Sequence, residues 1–129
     1  VYAEDRDAGR KHDQARAIVL GLWNDQTGVV SVQVLQELYV TLTRKLPRTM
    51  SPGKALEIVR EYLTWQVVDN TGELLVDAVT LQQKAGLSFG DALIVQAGIN
   101  AGCNRLYSED LNAGQRFAGM EIVNPFSGP

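Results

Sequence analysis

Helix-length apolar stripes alternate along this chain with very short apolar runs, and that alternation narrows the folds open to it more than any other feature. Ala15, Ile18, Val19 and Leu22 recur at i, i+3, i+4, i+7, which predicts a helix from about Lys11 to Trp23. The polar residues before it read as a loop. Thr27 to Val30 is a short buried strand. Ser31 then suits an N-cap, and Leu35, Leu38, Tyr39, Leu42 and Leu46 share one face of the helix it opens, which Pro47 helps to stop. Ser51-Pro52 restarts a helix with a cap and a first-position proline, and its core stripe is Ala55, Ile58, Val59 and Tyr62.

The same alternation continues to the end. Trp65 to Asp69 is a strand. A helix from about Glu73 to Ala85 should bury Leu75, Ala78, Val79 and Gln82, with Gly86 ending it. Asp91 opens a helix that is apolar on nearly every side (Leu93, Ile94, Val95, Ala97, Ile99) and is therefore expected to be buried. Arg105 to Tyr107 and Glu121 to Val123 are further strands. Short strands separated by helices imply an α/β fold of βαβ units, with a mainly parallel sheet covered on both faces. In such sheets the functional crevice lies beyond the carboxyl ends of the strands.

A chain of 129 residues fits one domain over residues 1–129. Its net charge of −3 offers no general attraction for nucleic acid, so such a partner would need a local basic patch or a bound metal. The single cysteine, Cys103, excludes an internal disulfide and reads as a reduced, buried thiol; with the single His12 it cannot build a zinc site. His12 stands in a polar helix start and reads as exposed and non-catalytic. No signal peptide and no apolar run of roughly 18 residues stands in the sequence, so no membrane partner and a cytoplasmic location are expected.

Three acids occupy places where an α/β sheet gathers ligands: Glu37, Asp91 and Asp110. Each also has a plain structural reading. Glu37 falls opposite the Leu35/Leu38/Leu42 face, beside Gln33 and Arg44, as a solvated helix glutamate would. Asp91 suits an N-cap or first-turn acid stabilising a helix N-terminus. Asp110 suits a turn, with Ser108 placed to orient it by a hydroxyl hydrogen bond and Glu109 pointing away to solvent. Taken together, all three can reach one rim, where mutual repulsion would call for a cation. Carboxylate oxygens suit Mg²⁺ or Mn²⁺. No G-x-S-x-G elbow or phosphate-cradling glycine loop competes with this chemistry. Two basic clusters, Arg6, Arg10 and Lys11, then Arg44, Lys45 and Arg48, are either solvated surface or contacts to phosphate.

The ordered acids, SFGDALI around Asp91 and LYSEDLNAGQRFAGMEIVNPF around Asp110 resemble the PIN-domain ribonucleases. They are most similar to the toxins of bacterial type II toxin–antitoxin modules, the virulence-associated protein C class. KHDQARAIV also resembles the first helix of that class, so the likeness runs along essentially the whole chain.

The resemblance implies an α/β/α sandwich and a divalent-metal endoribonuclease. Glu37, Asp91 and Asp110 would be its catalytic and metal-binding acids, and Ser108 the hydroxyl supporting the last of them. Arg10, Lys11 and Arg44 would be RNA contacts, with Mg²⁺ (or Mn²⁺) as cofactor, and a cognate antitoxin and a second copy of the chain as partners. The family also has an N-terminal central strand ending in an Asp-x-Asn-like turn. Val1-Tyr2-Ala3 resembles the segment just after that turn, so this strand and its acid are absent here, and Glu4, Asp5 and Asp7 are not expected to replace it. Loss of that strand would leave two neighbours unpaired, to be met by a less stable monomer, strand exchange or a rearranged sheet. Two alternatives stand beside the nuclease: a catalytically impaired binding module that dimerises and binds an antitoxin, and a phosphohydrolase of small molecules.

Overall fold

A computed structural model describes residues 2–126, except the Tyr2 side chain; the expectations placed on Val1 lie outside the described residues. The protein is α/β, and its contacts divide it into two compact units between Val67 and Val68.

The first unit opens with two short 3-10 turns, Tyr2–Glu4 and Arg6–Ala8, where a plain loop is expected from sequence. Helix α1 (Arg10–Asp25) follows, then strand β1 (Val29–Ser31), helix α2 (Val32–Val40), a π-type turn (Thr41–Lys45), helix α3 (Pro52–Tyr62) and strand β2 (Gln66–Val68). Both serine caps form as their sequence context dictates. Ser31 Oγ accepts the Val34 amide at 3.2 Å and Ser51 Oγ accepts the Lys54 amide at 3.3 Å, each satisfying a donor that the helix itself leaves open. β1 and β2 pair in a two-stranded sheet.

The core of this unit joins Leu35, Leu38, Leu42, Ala55 and Tyr62. Beside it Trp23, Tyr62 and Trp65 form an aromatic triad with ring centroids 5.1–5.2 Å apart, in tilted and edge-to-face geometry. Such pairs add about 0.5–1.5 kcal/mol each beyond their burial. Gly28 lets β1 approach this triad, because a Cβ there would stand 2.5 Å from the Trp65 ring. The Trp65 indole nitrogen is buried with no hydrogen-bond partner among the described residues.

The second unit holds helix α4 (Gly72–Ala85), helix α5 (Phe89–Asn100) and strands β3 (Arg105–Tyr107), β4 (Arg116–Phe117) and β5 (Met120–Val123). The strands lie in the order β3-β5-β4. β3 runs parallel to β5, with Leu106 opposite Ile122, and β4 runs antiparallel to it. The β4–β5 hairpin is too short for its alternation to register in the sequence. It turns on Ala118 (φ 48°) and Gly119 (φ 84°), the two left-handed residues of a tight two-residue turn. Gly86 ends α4 in the left-handed conformation, as its position predicts.

Two expectations fail in this unit. α4 buries Leu74 and Ala78, while Leu75 and Val79 are 50% and 38% exposed, so the stripe is one residue out of phase with the expected one. The residue that opens α5 is also not Asp91: Ser88 is its cap, accepting the Asp91 amide at 3.2 Å. The core here is Val95, Leu111, Phe117, Met120 and Ile122, with the half-buried thiol of Cys103 packed against it.

Candidate functional site

Glu37 stands in the first unit, on the outer face of α2. The helix turns Leu35 and Leu38 inward, which leaves Glu37 exposed, and Gln33 Nε2 donates to its Oε1 at 3.4 Å. One turn further on, the chain widens into the π-type turn Thr41–Lys45. Gln33, Gln36, Glu37, Val40, Thr41 and Lys45 line an open hollow of about 420 Å³ there. Neither Gln36 nor Thr41 stands out in the sequence, although Gln33, Glu37 and Thr41 follow the i, i+4 spacing that makes neighbours on a helix.

Asp91 and Asp110 belong to the second unit. Asp91 is the third residue of α5 and half-buried, a place where the helix dipole favours an anion. α5 stops sharply: the Gly102 amide bonds the Ile99 carbonyl and the Cys103 amide the Gly98 carbonyl, with Gly102 at φ 74°. The chain then reverses and β3 packs against α5. From Asn100 back to Asp91 the helix rises about 13 Å. From Arg105 forward to Ser108 an extended chain covers about 10 Å. Asp91 and the turn after β3 therefore lie at the same end of this helix–strand pair.

That turn is built on Ser108. Its Oγ accepts the backbone amides of Asp110 at 3.3 Å and Leu111 at 3.4 Å, while Leu111 is buried as an anchor. Ser108 thus orients Asp110 through the main chain rather than through the carboxylate, and Asp110 is exposed. Among the described residues the carboxylates of Asp91 and Asp110 take part in no hydrogen bond or ion pair.

The three expected ligands are thus a pair in one unit and a single acid in the other. Among the described residues no group of three or more His, Cys, Asp or Glu is arranged to hold a metal ion. The hard oxygen donors of Asp91 and Asp110, free of protein cations, have the chemistry that Mg²⁺ or Mn²⁺ requires.

The acids near the start of the chain have partners of their own within the first unit. Glu4 accepts from Tyr62 Oη at 3.0 Å and faces Arg16 at 4.0 Å. Asp5 accepts the Asp7 amide, and Asp7 pairs with Arg48 at 3.4 Å. Burial, then the Glu4 carboxylate, push the Tyr62 hydroxyl well above the usual tyrosine range, and burial also raises the Cys103 thiol. Of the expected RNA contacts, Arg10 and Arg44 are exposed and Lys11 is half-buried; His12 is half-buried too, not exposed.

No protein-family model matches the chain, and no curated protein matches it. No helix among the described residues is long and apolar enough to cross a membrane.

Proposed function

We propose that this protein is a divalent-metal-dependent RNA endonuclease of PIN type, acting in the cytoplasm as the toxin of a toxin–antitoxin pair and built on that family's α/β/α sandwich. The observation that carries the reading is the Ser108-Glu109-Asp110 turn after a parallel strand, at the same end of the helix–strand pair as Asp91. Two carboxylates without protein cations favour a hard dication, which when bound supplies charge stabilisation to a phosphodiester under attack by water.

Asp91 and Asp110 would hold that ion. Glu37 would bind metal or orient water, with Gln33 steadying its carboxylate. Ser108 fixes the main chain that carries Asp110, and Arg10, Lys11 and Arg44 would take phosphates without reading sequence. Cleavage of a labelled single-stranded RNA with Mg²⁺ or Mn²⁺ tests this. Activity should disappear in chelator and in Asp91→Asn and Asp110→Asn. Cleavage that persists in excess chelator would overturn the reading.

The absence of a three-acid cluster among the described residues favours a second reading, a binding module without useful catalysis. Its supporting feature is the outward face of α4, where Leu75, Val76 and Val79 are 50%, 64% and 38% exposed. An amphipathic antitoxin helix or a second copy of the chain would cover such a face. This reading expects no metal-dependent cleavage, together with loss of antitoxin binding or of the dimer in Val76→Asp. Full cleavage activity in the unaltered chain would reject it.

A further inference from the structure

Charge is unevenly divided. Residues 1–67 carry nine Lys and Arg against eight Asp and Glu, whereas residues 68–129 carry three against seven. The basic clusters at Arg6, Arg10 and Lys11 and at Arg44, Lys45 and Arg48, more than thirty residues apart in sequence, both lie in the first unit. The Arg48 Nε–Asp7 Oδ2 contact at 3.4 Å joins them directly. Arg6 and Arg10 lie within three residues of Asp7, and Arg44 and Lys45 within four of Arg48. No member of either group is therefore more than about 14 Å of chain from that contact. Arg6, Arg10, Arg44, Lys45 and Arg48 are all exposed.

The neighbouring acids weaken this field unequally. Glu4 is turned in toward Tyr62 and Arg16, and Asp5 is half-buried against the Asp7 amide. Asp13 is exposed on the first turn of α1. Asp7 itself is exposed and pairs with Arg48 of the second cluster at 3.4 Å.

We propose that the two clusters form one surface that holds the phosphate backbone of single-stranded RNA, and that Asp7 competes with phosphate for Arg48. The proposal rests on the ribonuclease reading above for its choice of polyanion. Tyr39 supplies the argument for an unpaired strand. It is 37% exposed and lies just over one helical turn before Arg44, where an aromatic ring offers a base a face to stack on. A guanidinium already paired to a carboxylate gives up that pair when it takes a phosphate. The Arg48 side chain is 86% exposed, so the pair is readily exchanged.

The test is binding of a fluorescein-labelled 20-nucleotide single-stranded RNA to the full chain in chelator, which separates binding from any cleavage. Asp7→Asn should tighten binding two- to threefold. The triple variant Arg10→Ala, Arg44→Ala, Arg48→Ala should weaken it at least tenfold and flatten the dependence on salt by about 0.7 in log–log slope for each phosphate left without its arginine. Tyr39→Ala should weaken binding several-fold with the salt slope unchanged, whereas Lys84→Ala in the second unit should leave it alone.

In the unaltered protein, RNA should also protect Lys45 from acetylation, which needs no variant to fold. The proposal is overturned if the triple variant binds as the parent does, if Asp7→Asn has no effect, or if a duplex DNA of equal length binds more tightly than the RNA. Cleavage is read separately. Loss of metal-dependent cleavage with this binding pattern intact overturns the nuclease reading alone.

Discussion

The two units solve one packing problem with different materials. In each, a glycine lets a backbone close against a large side chain: Gly28 against Trp65 in the first, Gly98 against Met120 in the second. The first neighbour is a rigid ring locked edge-on to Trp23 and Tyr62. The second is an unbranched thioether with three rotatable bonds. The same added methyl should therefore be tolerated very differently, and the difference teaches that core plasticity here depends on the neighbour rather than on the glycine.

The largest effect is expected where nothing can yield. Gly28→Ala should cost about 3 kcal/mol, at the upper end of overpacking, since the new Cβ would lie 2.5 Å from ring carbons. Gly98→Ala should cost only about 1 kcal/mol: its clash is with Met120 Sδ at 2.7 Å, which can rotate away at some loss of packing. Urea unfolding measures both. Trp23 and Trp65, the two tryptophans of the sequence, lie in the first unit, so fluorescence follows that unit while circular dichroism follows both. Equal losses for the two variants would break the contrast between ring and thioether.

Alkaline pH separates the units in a second way. Tyr62 donates to Glu4, and its raised pKa means the folded first unit holds a proton that the unfolded chain releases near pH 10. That contribution is complete below about pH 10 and is lost as pH rises beyond it. The half-buried Cys103 thiol acts with the same sign in the second unit, but its loss begins about one to two units lower, where an unfolded thiol ionises. Tyr62→Phe should cost about 1.5–3 kcal/mol at neutral pH, the range for a hydrogen bond to a charged group. It should also flatten the fluorescence-detected fall in stability above pH 10. An unchanged pH profile would show that the Tyr62–Glu4 contact is not formed.

What was legible in the sequence was local. Ser31, Ser51 and Gly86 act within one turn of their own position, and all three appear where composition put them. The face of α4 was not legible, because Leu74, Leu75, Val76 and Val79 satisfy two helical phases almost equally. Only packing on α5 selects Leu74 and Ala78. Asp91 lies in the first turn, as its sequence context allows, but it is not the cap: an acid and a serine three residues apart both suit a helix start, and the hydrogen bond from the Asp91 amide to Ser88 decides between them. For the candidate site, the surroundings of each acid could be read one by one. Their assembly depends on contacts between distant segments, which periodicity does not encode.

The smallest effect is a gain, and it again sets one unit against the other. Gln26 ends α1 at φ 56° and Ala118 turns the β4–β5 hairpin at φ 48°, both in the left-handed region where a Cβ is unfavourable. Gln26→Gly and Ala118→Gly should each stabilise the protein by about 0.5–1 kcal/mol, the relief of strain being offset in part by the greater freedom of glycine in the unfolded chain. The hairpin should respond less than the helix end. Ala118 is exposed and stands beside Gly119, already free to adopt the turn, whereas Gln26 is the left-handed residue that closes α1, its amide on the Leu22 and Trp23 carbonyls and the Thr27 amide on Leu22. Melting followed by tryptophan fluorescence should register Gln26→Gly, in the unit that holds both indoles. If fluorescence and circular dichroism report the same shift for both glycine variants, the two units unfold as one cooperative body and the contrast drawn between them ends at their cores.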